Sequence, residues 1–150
     1  MLLFDTNVLA YAHDSASKNH EEALRLRNAV LKGELDACVS YQNIVELYSV
    51  LTNPIKLARP YTASEASELC ELYLDTKNLA KIVPTEQTYS EALRLAGKIG
   101  ATSAKVFDCL LAATAKENGV KTIYTENTKD FGLFGFVQAV NPFKRKKGHS

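Results

Sequence analysis

Short apolar runs alternate along the chain with longer stretches in which apolar residues recur every three or four positions. That alternation predicts an α/β fold, a three-layer α/β/α arrangement around a mainly parallel central sheet. A first strand is expected from Leu2 to Asp5. A helix follows from near Asn7, carrying Val8, Leu9 and Tyr11, to about Asp14 and Ser15. A second helix starts near Ser17 or Lys18 and stops at Gly33, a natural C-terminal residue for a helix. Asp36 to Val39 is short enough for a strand. Ser40 can cap a helix with Ile44, Leu47, Tyr48 and Leu51 on its apolar side, which Asn53-Pro54 ends.

Thr62 and Glu65 form a capping-box pattern that opens a helix running to about Asp75. Lys81-Ile82-Val83 reads as a strand. Thr85 can cap a helix bearing Ala92, Leu93, Leu95 and Ile99, closed by Gly100. Another helix is expected from Ala104 to Asn118, a strand from Lys121 to Tyr124, and an edge strand from Phe136 to Val140. The segment Glu-Ala-Leu-Arg-Leu occurs at 22–26 and again at 91–95. All five residues favour helices, so the recurrence reads as coincidence rather than as a repeat.

Composition narrows the class. With 150 residues, 46% hydrophobic and 23% charged, the chain fits one globular domain with a sizeable core, expected over residues 1–143. Cys38, Cys70 and Cys109 lack the paired spacing of a zinc site or disulfide framework and read as buried, reduced thiols. Met1 to Phe4 meets Asp5 at once, leaving no apolar region of a secretory signal, and no run could span a membrane. A cytoplasmic location is therefore expected. The formal net charge is +1, but it becomes −3 without the four cations of Lys144, Arg145, Lys146 and Lys147. Residues 144–150 thus form a basic tail, either a phosphate-touching arm or a solvated terminus.

Several carboxylates look misplaced. Asp5 directly follows an apolar strand, at the carboxyl end where open parallel sheets collect ligands. It could equally cap the next helix, and the two roles are compatible. Asp108 lies in Val106-Phe-Asp-Cys-Leu-Leu-Ala-Ala113, a helix apolar on nearly every side, where an ionised carboxylate needs a partner or a metal. Lys105 is the only cation three or four positions away. Glu46 falls opposite the Ile44/Leu47/Leu51 stripe, where periodicity alone predicts a solvated side chain. Thr125-Glu126-Asn127-Thr128-Lys129-Asp130 is a polar segment at another strand's end, which reads as a loop.

Taken in order, these segments resemble the PIN-domain nucleases, and especially the VapC-like toxins of type II toxin–antitoxin pairs. The resemblance rests on Asp5-Thr6-Asn7-Val8-Leu9, on Glu46 within Asn43-Ile-Val-Glu-Leu-Tyr48, and on Asp108 followed by Leu-Leu-Ala-Ala. It continues through Thr125-x-Asn127-x-x-Asp130-Phe131 to Val140-Asn-Pro-Phe143 and spans essentially the whole chain. It implies an acidic cluster of Asp5, Glu46 and Asp108 that holds Mg²⁺ or Mn²⁺, with Asp5 and Asp108 as direct ligands. Thr6 and Thr125 would be supporting hydroxyls. The family's fourth acidic position is Asn127 here, which leaves Asn127, Glu126 and Asp130 as alternatives for that role. The resemblance also implies RNA as substrate, a small antitoxin as partner and a homodimer.

Converging carboxylates repel one another, and a divalent ion with oxygen ligands relieves that repulsion. Such an ion would assist in-line hydrolysis of a phosphodiester, leaving a 5′-phosphate and a 3′-hydroxyl. Lys18, Lys56, Arg59, Lys105 and Lys129 are candidates for contact with single-stranded RNA, and Tyr11, Tyr41 and Tyr48 for stacking on bases. His13, His20 and His149 show no pairing suited to acid–base catalysis. A phosphatase with an aspartyl nucleophile would need a second Asp where Asn7 stands. The competing reading from another class is a PIN-like fold that binds RNA or protein without cutting.

Overall fold

The structure, a computed structural model, describes residues 1–144. The expected basic tail, apart from Lys144, and His149 lie outside them. Five parallel strands form one sheet in the order β3-β2-β1-β4-β5, with β1 (Leu2–Phe4), β2 (Ala37–Ser40), β3 (Leu79–Ile82), β4 (Thr122–Tyr124) and β5 (Gln138–Val140). Helices α1 (Thr6–Ala12) and α2 (His20–Leu31) connect β1 to β2. Helices α3 (Tyr41–Leu51) and α4 (Ala63–Asp75) connect β2 to β3. The chain then crosses to the other side of β1 through α5 (Glu86–Ile99) and α6 (Lys105–Glu117), and α7 (Thr128–Phe131) joins β4 to β5.

The period-two geometry of the strands creates two cores, one on each face of the sheet. Phe4, Ala37, Val39 and Leu79 point into a core shared with α1 to α4. Leu3, Cys38, Ile82 and Ile123 point the other way, against α5, α6 and α7. Strands buried on both faces read as continuous apolar runs, which is why they are short and uninterrupted in the sequence. The three cysteines are buried and free. No helix among the described residues is long and apolar enough to cross a membrane.

Local signals set the helix ends. The Thr62/Glu65 capping box forms as the sequence predicts, and Gly100 closes α5 at φ 71°, a conformation that favours glycine. Some expectations shift. α2 begins at His20 because Ser17 accepts the Asn19 N–H in a preceding turn. β3 runs from Leu79 rather than Lys81, since Leu79 and Ile82 are the residues that reach the two cores, and Val83 is exposed. The polar segment after β4 contains a short helix, α7, because Phe131 drops into the second core and winds the chain above it. Tyr48 is exposed instead of sharing the apolar side of α3. At the sheet edges, β5 is only three residues long and is followed by Asn141-Pro142, and β3 carries Lys81, whose ammonium donates to the Thr76 carbonyl at 2.6 Å.

The strand order reverses between β1 and β4, so the carboxyl ends of these neighbours form the crevice where α/β sheets place ligands. Phe131, fully buried and edge-on to Phe134, anchors the segment beside that crevice. Phe131→Ala should lower stability by about 3–5 kcal/mol. In urea unfolding the midpoint falls with an unchanged slope.

Candidate active site

Asp5 leaves β1 and caps α1 in one step. Its Oδ1 accepts the Thr6 N–H at 2.8 Å, while its Oδ2 accepts the Thr125 hydroxyl at 2.8 Å and the Asn7 amide at 3.3 Å. The parallel register makes this possible. Phe4 pairs with Tyr124, so Asp5 and Thr125 leave adjacent strand ends together. Asp5 thus forms the expected cap while its second oxygen lies at the strand ends beside Thr125.

Glu46 comes from α3, across the crevice. Thr6 donates its hydroxyl to Glu46 Oε2 at 2.8 Å, and Gln42 donates to Glu46 Oε1 at 2.8 Å. Glu46 is thus half-buried and doubly held rather than the solvated residue that periodicity suggests. Fully buried Asn43 fixes Thr6 in turn: it donates to the Thr6 hydroxyl at 3.1 Å and accepts the Ser40 N–H at 2.9 Å. Thr6 already receives that hydrogen bond, so its own proton goes to Glu46.

Asp108 lies in the first turn of α6 and is half-buried. Its pKa is pushed up to about 6, first by burial, then by the negative charges of Asp5, Asp130 and Glu46, with Lys105 opposing. Burial also raises the Asp5 pKa, against the hydrogen bonds from Thr125 and Thr6, and the Glu46 charge raises it further. The four carboxylates thus share one electrostatic field. Among the described residues, no three His, Cys, Asp or Glu side chains meet closely enough to grip an ion unaided. The donors are all oxygen, and among the described residues Lys105 is the one cation that compensates Asp108. That set fits Mg²⁺ or Mn²⁺, which are held through one or two carboxylates plus water, better than a metal needing a full protein cage.

The three alternatives after β4 separate. Glu126 turns away from Asp108: its carboxylate accepts the Tyr11 hydroxyl and, at 3.4 Å, the Asn19 amide. Burial, and then this contact, push the Tyr11 pKa up to about 12. Asn127 donates its backbone N–H to the Thr125 hydroxyl at 2.9 Å, and its side chain does not cap α7. Asp130 is the residue of the three whose charge reaches Asp108.

A cleft of about 390 Å³ runs from Asp5 and Glu46 past Tyr11 to Lys56. Of the proposed RNA contacts, Lys56 lines this cleft and Lys105 acts on Asp108. Lys18 lies in a separate groove with Lys144, Arg59 in another with His13, and Lys129 is exposed on α7. Tyr41 and Tyr48 are exposed, whereas Tyr11 serves Glu126. His13 is bonded to Tyr73 and pushed down to about 4, chiefly by burial, and His20 bonds the Tyr11 carbonyl. The supporting amides Asn7, Gln42 and Asn43 were not singled out by the sequence. Asn43 carried a signal, being polar at a position four before the apolar Leu47.

Acidic residues gathered at the switch point of a parallel sheet with helices on both faces define the class. The chain belongs to the PIN-domain family, whose model matches residues 2–135. It is 30% identical over 142 residues to Ribonuclease VapC24 of Mycobacterium tuberculosis, covering 95% of this chain and 97% of that one. The same fold occurs in VapC20 of Mycobacterium tuberculosis, described as a toxin that cleaves the sarcin–ricin loop. There the TM-score is 0.71 at 16% identity, covering 92% of this chain and 98% of that one. It also occurs in a toxin–antitoxin complex from Klebsiella pneumoniae, with a TM-score of 0.63 at 18% identity, covering 97% and 100%.

Asp108 also gives a sign for stability against pH. In the folded, metal-free chain its pKa is about 6 against an ordinary 3.8, so between these values the folded state holds the extra proton. Stability therefore falls as pH rises through that window and stays lower above it. Solvent screening at this half-buried site reduces the effect to on the order of 1 kcal/mol. In the presence of a chelator at pH 7, Asp108→Asn should melt about 2–4 °C above wild type by calorimetry, and the gap should close near pH 4.

Proposed function

We propose that the protein is a metal-dependent endoribonuclease of the VapC toxin type, acting in the cytoplasm on single-stranded stretches of RNA. The observation that carries this reading is Asp108, a carboxylate held against the charges of Asp5, Asp130 and Glu46 with Lys105 as its one compensating cation among the described residues. The full-length relative named as a ribonuclease supports RNA as the substrate.

Asp5 and Asp108 would hold Mg²⁺ or Mn²⁺ directly. Glu46 and Asp130 would act through water or hold a second ion, with Asp130 filling the fourth acidic position that Asn127 leaves neutral. When bound, the ion supplies positive charge to the scissile phosphate and makes water acidic enough to attack it. Thr125 and Thr6 keep one oxygen of Asp5 and one of Glu46 in fixed directions, leaving their remaining lone pairs for the cleft. Lys56 and Lys105 would meet backbone phosphates on either side.

The toxin reading brings a partner and an assembly. The solved toxin–antitoxin complexes of like fold support a small antitoxin that masks the acidic cleft. Exposed Val45, Tyr89, Leu93 and Phe107 support homodimerisation through α3, α5 and α6.

The test is cleavage of total cellular RNA with Mg²⁺, Mn²⁺ or chelator. Wild type should cut only with metal and leave 5′-phosphate ends, while Asp108→Asn and Asp5→Asn each lose about 10²-fold or more in rate. Equal activity in wild type and Asp108→Asn removes the mechanism. RNA bound but never cut identifies a binding module instead. Mn²⁺ should also raise the melting temperature of wild type and leave Asp108→Asn nearly unmoved.

A further inference from the structure

Gln42 occupies the first turn of α3, one helical turn before Glu46. Its amide nitrogen donates to Glu46 Oε1 at 2.8 Å and to the Phe107 carbonyl at 3.2 Å. The two protons of one amide thus join two elements, and the second reaches the residue immediately before Asp108. A side-chain amide can do this because its NH₂ presents two donors without carrying charge.

The link adds a side-chain tie to an end of α6 otherwise held by backbone turns and by Val106 and Cys109. The N-cap position is Ala104, which offers no side-chain cap, and the preceding Ser103 sits at φ 54°, uncommon for a residue with a side chain. Residues 102–105 are exposed, and the Phe107 side chain is 53% exposed. Cys109, next to Asp108, is the first buried residue of α6, and burial is continuous from Leu111 to Ala115. Asp108 is carried by a turn without a side-chain cap, which packs on the core through Val106 and Cys109 and is exposed on its outer side at Phe107. On the other side, Glu46 has its second oxygen tied to Thr6, the neighbour of Asp5. A chain of contacts then runs from Asp5 through Thr6, Glu46 and Gln42 to the backbone beside Asp108.

We infer that Gln42 is a positioning residue that holds the Asp108 turn of α6 at a fixed distance from Glu46 and Asp5, so that carboxylates from three elements address one divalent cation. This deepens the proposed nuclease reading and rests on it. Groups that orient metal ligands at one remove change metal affinity or activity by about 10–100-fold when replaced.

Gln42→Met keeps the length of the side chain and removes both donors. Free Mn²⁺ is counted by electron paramagnetic resonance as the ion is titrated into each protein without RNA. In parallel, RNA cleavage is followed against Mn²⁺ and against RNA concentration. The expected result is Mn²⁺ binding weakened by about 10-fold, kcat lowered, and KM for RNA within twofold of wild type. A melting curve confirms that the variant folds, and Gln42→Ala replaces it should Met fail. A variant that folds and matches wild type in Mn²⁺ binding overturns the inference, whatever its melting temperature. A wild type that neither binds Mn²⁺ nor cleaves RNA overturns the nuclease reading and this one with it. An active wild type beside an unaffected Gln42→Met overturns this one alone.

Discussion

Two parallel strands end side by side, and the residues that leave them bind each other: Thr125 gives its proton to Asp5 at 2.8 Å. The rest of the acidic pocket is oriented from that contact. Once Asp5 is fixed, its neighbour Thr6 begins α1 facing α3, and a single hydroxyl proton reaches across to Glu46. Because Asn43 already occupies the Thr6 oxygen, that proton has one destination. A polar network buried at low dielectric is stable only when its members are satisfied, so the direction of each hydrogen bond here is imposed by the others.

The scaffold exists to make that contact hold. Strands of three or four residues are marginal by themselves. They persist because β1 to β4 send side chains into both cores, Leu3 to one and Phe4 to the other, with helices sealing each face. The small residues of α6, Ala112, Ala113 and Ala115, are buried in this packing. They bring the helix close to its neighbours and thereby carry Asp108 toward the strand ends, at the electrostatic cost visible in its raised pKa.

Much of this was legible in the sequence, and the exceptions share a cause. Asp5 and Asp108 stood out because each interrupts an apolar pattern whose structural meaning is local. The capping signals at Thr62, Thr85 and Gly100 depend on a few neighbouring residues and hold where they were read. Glu46 was invisible to periodicity, because an amphipathic stripe reports the side facing the core and says nothing of what stands opposite. Its orientation is set by Thr6, forty positions away. Gln42 is hidden for the same reason, its partner Phe107 lying on another element. The cations were the least legible. A lysine is compatible with any exposed position, so Lys56 and Lys105 look no different in the sequence from Lys18 or Arg59. The fold places them in different grooves, Lys56 beside Asp5 and Glu46, Lys18 and Arg59 elsewhere.

The two sheet edges have a consequence for assembly. β5 stops after three residues and runs into Asn141-Pro142, and β3 presents a lysine on its rim. Short rims, proline and lysine all discourage a foreign strand from adding to a sheet. Growth in the plane of the strands is therefore disfavoured on both sides. That leaves the helical faces as the open surfaces, and several of those helices carry the acidic crevice at their ends.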